Sequence, residues 1–354
     1  MKNYRLITAV SLIVIMIFAA CMKAVVSERG NEGWLIPPGE VFEGGPGKDG
    51  IPALLTPPLA TAREAIFLND QSLVIGIKIG DVTRAYPHII LDWHEIINDE
   101  IGDELFSITY CPLTGSGIAW NRFLNGQENT FGVSGLLYNS NLIPYDRLTD
   151  SYWSQMKNLS VNGVLMGQTS ETYPIVETTW ETWEQMYPET RVVSTRTGYS
   201  RNYGVYPYGQ YRTNDDNLLY PIANDDTRLP RKERIHGIIV EDRTKAYRIG
   251  SFSAEITAIN DTFNGLLLVI AGSSSKNLVV SFKRQLANGT VLTFEPLQDQ
   301  LPAIIIDNEG TSWDIFGNGI SGPRTGENLE AAAAYNAYWF AWGAFYPETE
   351  IYGL

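Results

Sequence analysis

Gly76 to Tyr86 reads "GIKIGDVTRAY", and the pattern returns at Gly237 to Tyr247 as "GIIVEDRTKAY". Both stretches carry the β-rich alternation of a strand pair, with Asp81 and Asp242 at the turns. Three more pairs follow in the same order at offsets of about 160 residues. Ile97-Asn98-Asp99 answers Ile259-Asn260-Asp261, and Thr130-Phe131 answers Thr293-Phe294. Trp180-x-x-Trp183-x-x-x-Tyr187-Pro188-Glu189-Thr190 answers Trp339-x-x-Trp342-x-x-x-Tyr346-Pro347-Glu348-Thr349. Ordered matches of this kind imply an internal duplication.

The fold expected is mainly β with a few short helices (α+β), in two homologous halves. Each half reads as a small barrel or curled sheet with a terminal helix. In the first half "SLVIGIKIG", "TRAYPHIIL", "LFSITYC" and "GIAWNRF" are strand-like, separated by Asn/Asp/Gly turns. The terminal helices are "TTWETWEQMYP" and "AAAAYNAYWFAWGAFYP", whose aromatics at i, i+3 and i+7 share one face and whose prolines end the run. The expected organisation is a signal peptide over 1–20, a Gly/Pro-rich spacer over 21–61, a first repeat over 62–197, a Tyr-rich linker over 198–230 and a second, degenerate repeat over 231–354.

At the N-terminus Lys2 and Arg5 precede the apolar run Leu6 to Ile17, which is shorter than the about 20 residues a spanning helix needs. "FAAC" resembles a lipoprotein processing site with Cys21 as the lipidated residue, and Phe18 stands where Leu is usual. Ordinary signal cleavage and an uncleaved anchor are the alternatives. The expected location is extracytoplasmic and membrane-anchored, at a cell surface or in a periplasm. The formal charge of −14 argues against nucleic acid as a partner, because phosphate binding needs basic patches. A lipid on Cys21 would leave Cys111 as the only thiol, excluding a disulfide within the chain.

Residues that differ between the copies are the candidates for chemistry. Cys111 aligns with Ser273 and His94 with Ile256, while the segment Phe131 to Gln155 concentrates Ser134, Tyr145, Asp146, Arg147, Ser151 and Trp153. Cys111, His94, Arg147 and Asp146 are therefore the catalytic candidates, and Ser134, Tyr145, Ser151 and Trp153 the ligand-binding ones. A thiolate at Cys111 needs a nearby His or Arg charge, which His94 or Arg147 would supply. Cys111 and His94 with Glu95 or Asp146 form a conceivable zinc or copper set, although no HxxH, HxH or CxxC spacing is present. The alternative is a non-catalytic extracytoplasmic protein that binds a small molecule, a protein or a metal. His88 and His236 read as ordinary surface or strand residues.

"HEIIND", "TYCPLTGSG", "FGVSGLLYNSNL", "YDRLTDSYWSQ" and "YPET" carry a resemblance to the bacterial and archaeal family catalogued as domain of unknown function 3179. The resemblance runs from about Arg63 to the C-terminus. That family commonly has Cys-Pro-Leu-Cys where this chain has Cys111-Pro-Leu-Thr114, which leaves a paired-thiol role without its second thiol. The resemblance implies no reaction.

Overall fold

The computed structural model describes residues 33–354, so the leader and Cys21 lie outside the described residues. The chain is mainly β. In the first half the elements that matter here are β1 (Leu73–Ile79), β2 (Val82–Pro87), α1 (His88–His94), β3 (Ile96–Ile101), β4 (Glu104–Cys111), β5 (Ser116–Asn121), β6 (Ile175–Thr179), α2 (Trp180–Met186) and β7 (Arg191–Val193). The second half has β8 (Arg234–Val240), β9 (Arg243–Arg248), β10 (Thr257–Phe263), β11 (Leu266–Ser273), β12 (Leu278–Lys283), β13 (Ala334–Tyr338), α3 (Trp339–Phe345) and β14 (Glu350–Ile351).

Strand order in one sheet is β6-β1-β2-β7 followed by Leu59–Thr61, and in another β13-β8-β9-β14. In both, the first hairpin is antiparallel and the short last strand joins parallel to its neighbour. Further sheets contain β3-β4-β5 and β10-β11-β12. The segments Phe131–Tyr138, Asn141–Asp146 and Tyr152–Ser154 belong to a third type of sheet, as do Ala303–Asp307 and Ser312–Asp314.

The sheets do not close, which corrects the expected small barrels. A barrel buries its inner face against itself, whereas here each sheet is covered by others. One apolar cluster joins Val74, Trp180 and Trp183 to Ile256, Val269, Ile304 and Trp313. Another joins Tyr138, Ile143 and Met156 to Ile235, Trp339 and Trp342. Each terminal helix thus packs into a core that draws on both halves.

Two local expectations also change. "PHIIL" was expected as strand, yet the chain leaves the ladder at Pro87 and turns into α1. "AAAAYNAY" was expected as helix, but Ala334–Tyr338 pairs with β8 from Ile238 to Arg234. Alanine favours helix only weakly against a neighbouring strand that needs its hydrogen bonds met.

The helices sit where they do because of two glycines. A Cβ on Gly76 would lie 2.1 Å from the Trp183 ring, and one on Gly237 2.2 Å from the Trp342 ring. Each indole packs against bare strand backbone. Each then donates its N–H to a threonine past the helix: Trp183 Nε1 to Thr190 Oγ1 at 3.1 Å, Trp342 Nε1 to Thr349 Oγ1 at 3.0 Å. Gly76→Ala and Gly237→Ala should each cost about 3 kcal/mol by overpacking. Urea denaturation measures this; a loss below about 0.5 kcal/mol would mean that the helices yield freely.

Candidate functional site

Cys111 ends β4 among Ile96, Leu113, Trp120, Trp153 and Tyr211, 1% exposed. Its Sγ donates to the Ser140 carbonyl at 3.6 Å. Burial pushes the thiol up to about 11, and nearby Glu95 adds to the rise. A thiol in that state is almost wholly protonated at neutral pH, the opposite of an activated nucleophile.

His94 closes α1, and both ring nitrogens are engaged away from the thiol. Nδ1 donates to the Pro52 carbonyl at 2.7 Å, because a carbonyl can only accept. Nε2 is then left to accept from the Tyr203 hydroxyl, also at 2.7 Å. No hydrogen bond joins His94 to Cys111, and burial lowers the imidazole pKa, which keeps the ring neutral.

The Tyr-Asp-Arg segment forms a separate brace. Asp146 accepts from Thr149 N at 2.6 Å and from Trp153 Nε1 at 3.0 Å. Asp307 does the same work in the second half, accepting from Thr311 N and Trp313 Nε1 at 2.9 Å each. A contact present in both halves serves the fold. Arg147 donates to Asp49 at 2.8 Å and to the Phe131 carbonyl at 3.0 Å, and the Tyr145 hydroxyl also meets Asp49. Ser134 bonds Ile143 O and accepts from Leu136 N at 2.9 Å, inside a register shift. Ser151 Oγ accepts from Leu165 N at 3.1 Å. Among the described residues no group of three His, Cys, Asp or Glu side chains is placed to hold a metal ion.

What surrounds Cys111 instead is the Tyr-rich segment between the halves. Tyr208 donates to Glu95 Oε1 at 3.4 Å and Tyr206 to the Pro112 carbonyl at 3.1 Å. Arg212 stacks 3.5 Å over the Tyr206 ring and donates to Asp92 at 2.7 Å. Alongside, Glu177 binds Arg234, accepts from Asn277 Nδ2 at 3.0 Å and lies 3.5 Å from His88 Nε2. Burial would raise the Glu177 carboxyl, but Arg234 and His88 hold it down at about 2. Sequence reasoning passed over Asp92, Glu177, Arg212 and Arg234, because an isolated charge gives no sign of what it will meet.

A concavity lies elsewhere. A cleft of about 760 Å³ opens between the halves, walled by Ile118, Met156, Ile175 and Val176 on one side and Ile239, Val280, Phe282 and Tyr335 on the other. That size falls within the range of small-molecule pockets. Its polar lining includes His236 and Ser281, with Lys157 and Lys283 also among the lining residues. His236 Nε2 lies 2.9 Å from Ser281 Oγ, and Nδ1 lies 2.9 Å from Asn336 Oδ1. Burial pulls His236 down to about 4, against the Asn336 hydrogen bond, so the ring is neutral at pH 7. His236 is thus a strand residue as expected, but a buried one in a polar network. The signal lay in comparing the recurring motifs in the other direction: Ile75 stands before Gly76 where His236 stands before Gly237.

These features define a mainly β protein of open sheets, with a shared core and an apolar cleft between its halves. The chain belongs to the family described as protein of unknown function (DUF3179), whose profile matches residues 48–349. No curated protein and no solved structure was found to match it.

Glu95 offers a pH test. Its backbone sits at φ 58°, ψ −35°, a conformation an L side chain seldom takes, and burial raises its carboxyl from 4.5 to about 7. As pH rises from 4.5, the unfolded chain sheds this proton before the folded chain does. Stability present at lower pH is therefore lost as pH rises through about 7. Glu95→Gln removes the effect, so its stability relative to the parent should climb by about 3 kcal/mol between pH 4.5 and pH 8. Urea titrations across that range measure the difference. Parallel curves would mean that Glu95 ionises normally.

Proposed function

We propose that the protein is an exported, lipid-anchored receptor for a small apolar or amphipathic molecule, which it holds in the cleft between two copies of one β unit. The cleft carries this reading: apolar walls from both halves, a volume of about 760 Å³ and few polar groups make a place where an apolar body loses water and a head group finds partners. Lys157 and Lys283 line the cleft together with Glu241 and Glu330, and Lys283 pairs with Glu330, which leaves Lys157 as the cation that can meet a polar head.

The units span 62–197 and 231–354, joined by the segment 198–230. Their kinship rests on the sequence repeat and on contacts that recur. Asn98 exchanges hydrogen bonds with Phe131 backbone, and Asn260 does so with Phe294. Arg122 Nε donates to Phe106 O at 3.1 Å, and Arg284 Nε to Leu268 O at 3.0 Å. Strongly unequal costs for Gly76→Ala and Gly237→Ala would count against two copies of one unit.

The anchor rests on "FAAC" alone. Cys21→Ala should abolish incorporation of labelled fatty acid and shift the protein from the membrane to the soluble fraction. A mature N-terminus well beyond Cys21 would sink this part.

The cleft is tested with 1-anilinonaphthalene-8-sulfonate, an apolar anion that fluoresces out of water. It should bind saturably at one site. Ala333→Trp, on the cleft wall, should weaken binding at least about tenfold while the far-ultraviolet circular dichroism stays unchanged. Binding that does not saturate, or that ignores the tryptophan, would refute the cleft as the ligand site.

A further inference from the structure

We propose that Ser281, His236 and Asn336 form a nucleophile–base–orienter triad that hydrolyses esters whose acyl chain enters the cleft. The proposal rests on the cleft reading above and adds a reaction to it.

The geometry has the order that acyl transfer needs. Asn336 Oδ1 lies 2.9 Å from His236 Nδ1, so Nδ1 carries the proton and donates it. Nε2 is then the acceptor, and the Ser281 hydroxyl, 2.9 Å away, donates to it. A neutral amide can hold the imidazole in the working tautomer, as in the Cys-His-Asn variant of such triads. Ser281 and His236 both line the cleft wall.

The three come from separate strands. His236 on β8 faces Asn336 on β13 as a cross-strand pair, and Ser281 is supplied by β12. At the same ladder position the first half pairs Ile75 with Glu177. The residue of β5 that corresponds to Ser281 is Ala119, which also lines the cleft. The fold therefore runs without this network in one half. Placing three polar groups in the other half costs desolvation, which structure alone does not require.

In the first step Ser281 Oγ attacks the ester carbonyl carbon, and its proton passes to His236 Nε2. The carbon–alkoxide bond breaks, and the alkoxide leaves as the alcohol with that proton. Water then attacks the acyl–Oγ ester and gives a proton to Nε2. The Oγ–acyl bond breaks, the carboxylic acid departs, and Ser281 regains its proton from Nε2.

The test uses the full chain with p-nitrophenyl octanoate, an alkyl fluorophosphonate and 1-anilinonaphthalene-8-sulfonate side by side. The phosphonate should form one adduct per chain, with fluoride leaving, and peptide mapping of the unaltered protein should place it on Ser281. Ser281→Ala should lose the adduct and slow ester hydrolysis at least about a hundredfold, and the unaltered protein should bind the dye. His236→Gln should slow both reactions by a similar factor. Normal dye binding with no adduct on Ser281 overturns the triad and leaves the cleft standing. Absence of dye binding overturns the cleft as well. An adduct mapped to another residue also overturns the triad, and this readout needs no variant to fold.

Discussion

An indole laid on a glycine is the contact on which the rest of the structure depends. Trp183 on Gly76 and Trp342 on Gly237 bring each terminal helix to van der Waals distance of its strand, where even a methyl group has no room. Because each helix follows directly on a strand, β6 into α2 and β13 into α3, the contact also fixes the angle at which the chain leaves the sheet. Thr190 and Thr349 then satisfy the indole N–H groups and start the return to the last short strand. A buried Trp that lacked this partner would cost the desolvation of its N–H.

The helices so placed do not complete separate cores. Trp180 and Trp183 share an apolar cluster with Ile256 and Ile304, and Trp339 and Trp342 share another with Tyr138 and Ile143. Polar contacts add register to this exchange. Tyr338 N donates to Thr114 O at 2.7 Å, and Thr178 Oγ1 donates to Lys276 O at 2.7 Å. Glu177 from the first half meets Arg234 and Asn277 from the second. A buried ion pair of this kind adds little net stability, but losing one partner strands the other charge, at about 3–5 kcal/mol. These contacts join the halves on either side of the cleft.

Asymmetry laid over this shared frame separates two polar regions. Around Cys111 the groups are closed in: a thiol raised to about 11, a strained Glu95 raised to about 7 and tyrosines from the joining segment. The thiol there stays protonated at neutral pH and is not poised to attack. At the cleft, His236 is neutral with its tautomer set by Asn336, and Ser281 faces the same space as the apolar walls. One buried polar network is thus enclosed by the joining segment, and the other borders the cleft.

Much of the strand pattern was legible in the order of residues, since side chains on a strand alternate with a period of two and recurring motifs can be read by eye. The paired motifs, the closing Trp-x-x-Trp helices and the turns at Asp81 and Asp242 are local features, and local sequence determined them. "PHIIL" was misread because the chain leaves the ladder at Pro87 and turns into α1, and "AAAAYNAY" because a neighbouring strand's unmet hydrogen bonds overrode propensity. Which polar residues meet was decided only by tertiary structure. His236 and Asn336 are 100 residues apart and His236 and Ser281 are 45 apart, brought together by ladder register and sheet packing. Asp146 and Arg147, adjacent in sequence, turn to different partners, Trp153 and Asp49. A sequence determines the face on which a side chain stands; what it faces depends on a distant strand, and that is settled by packing alone.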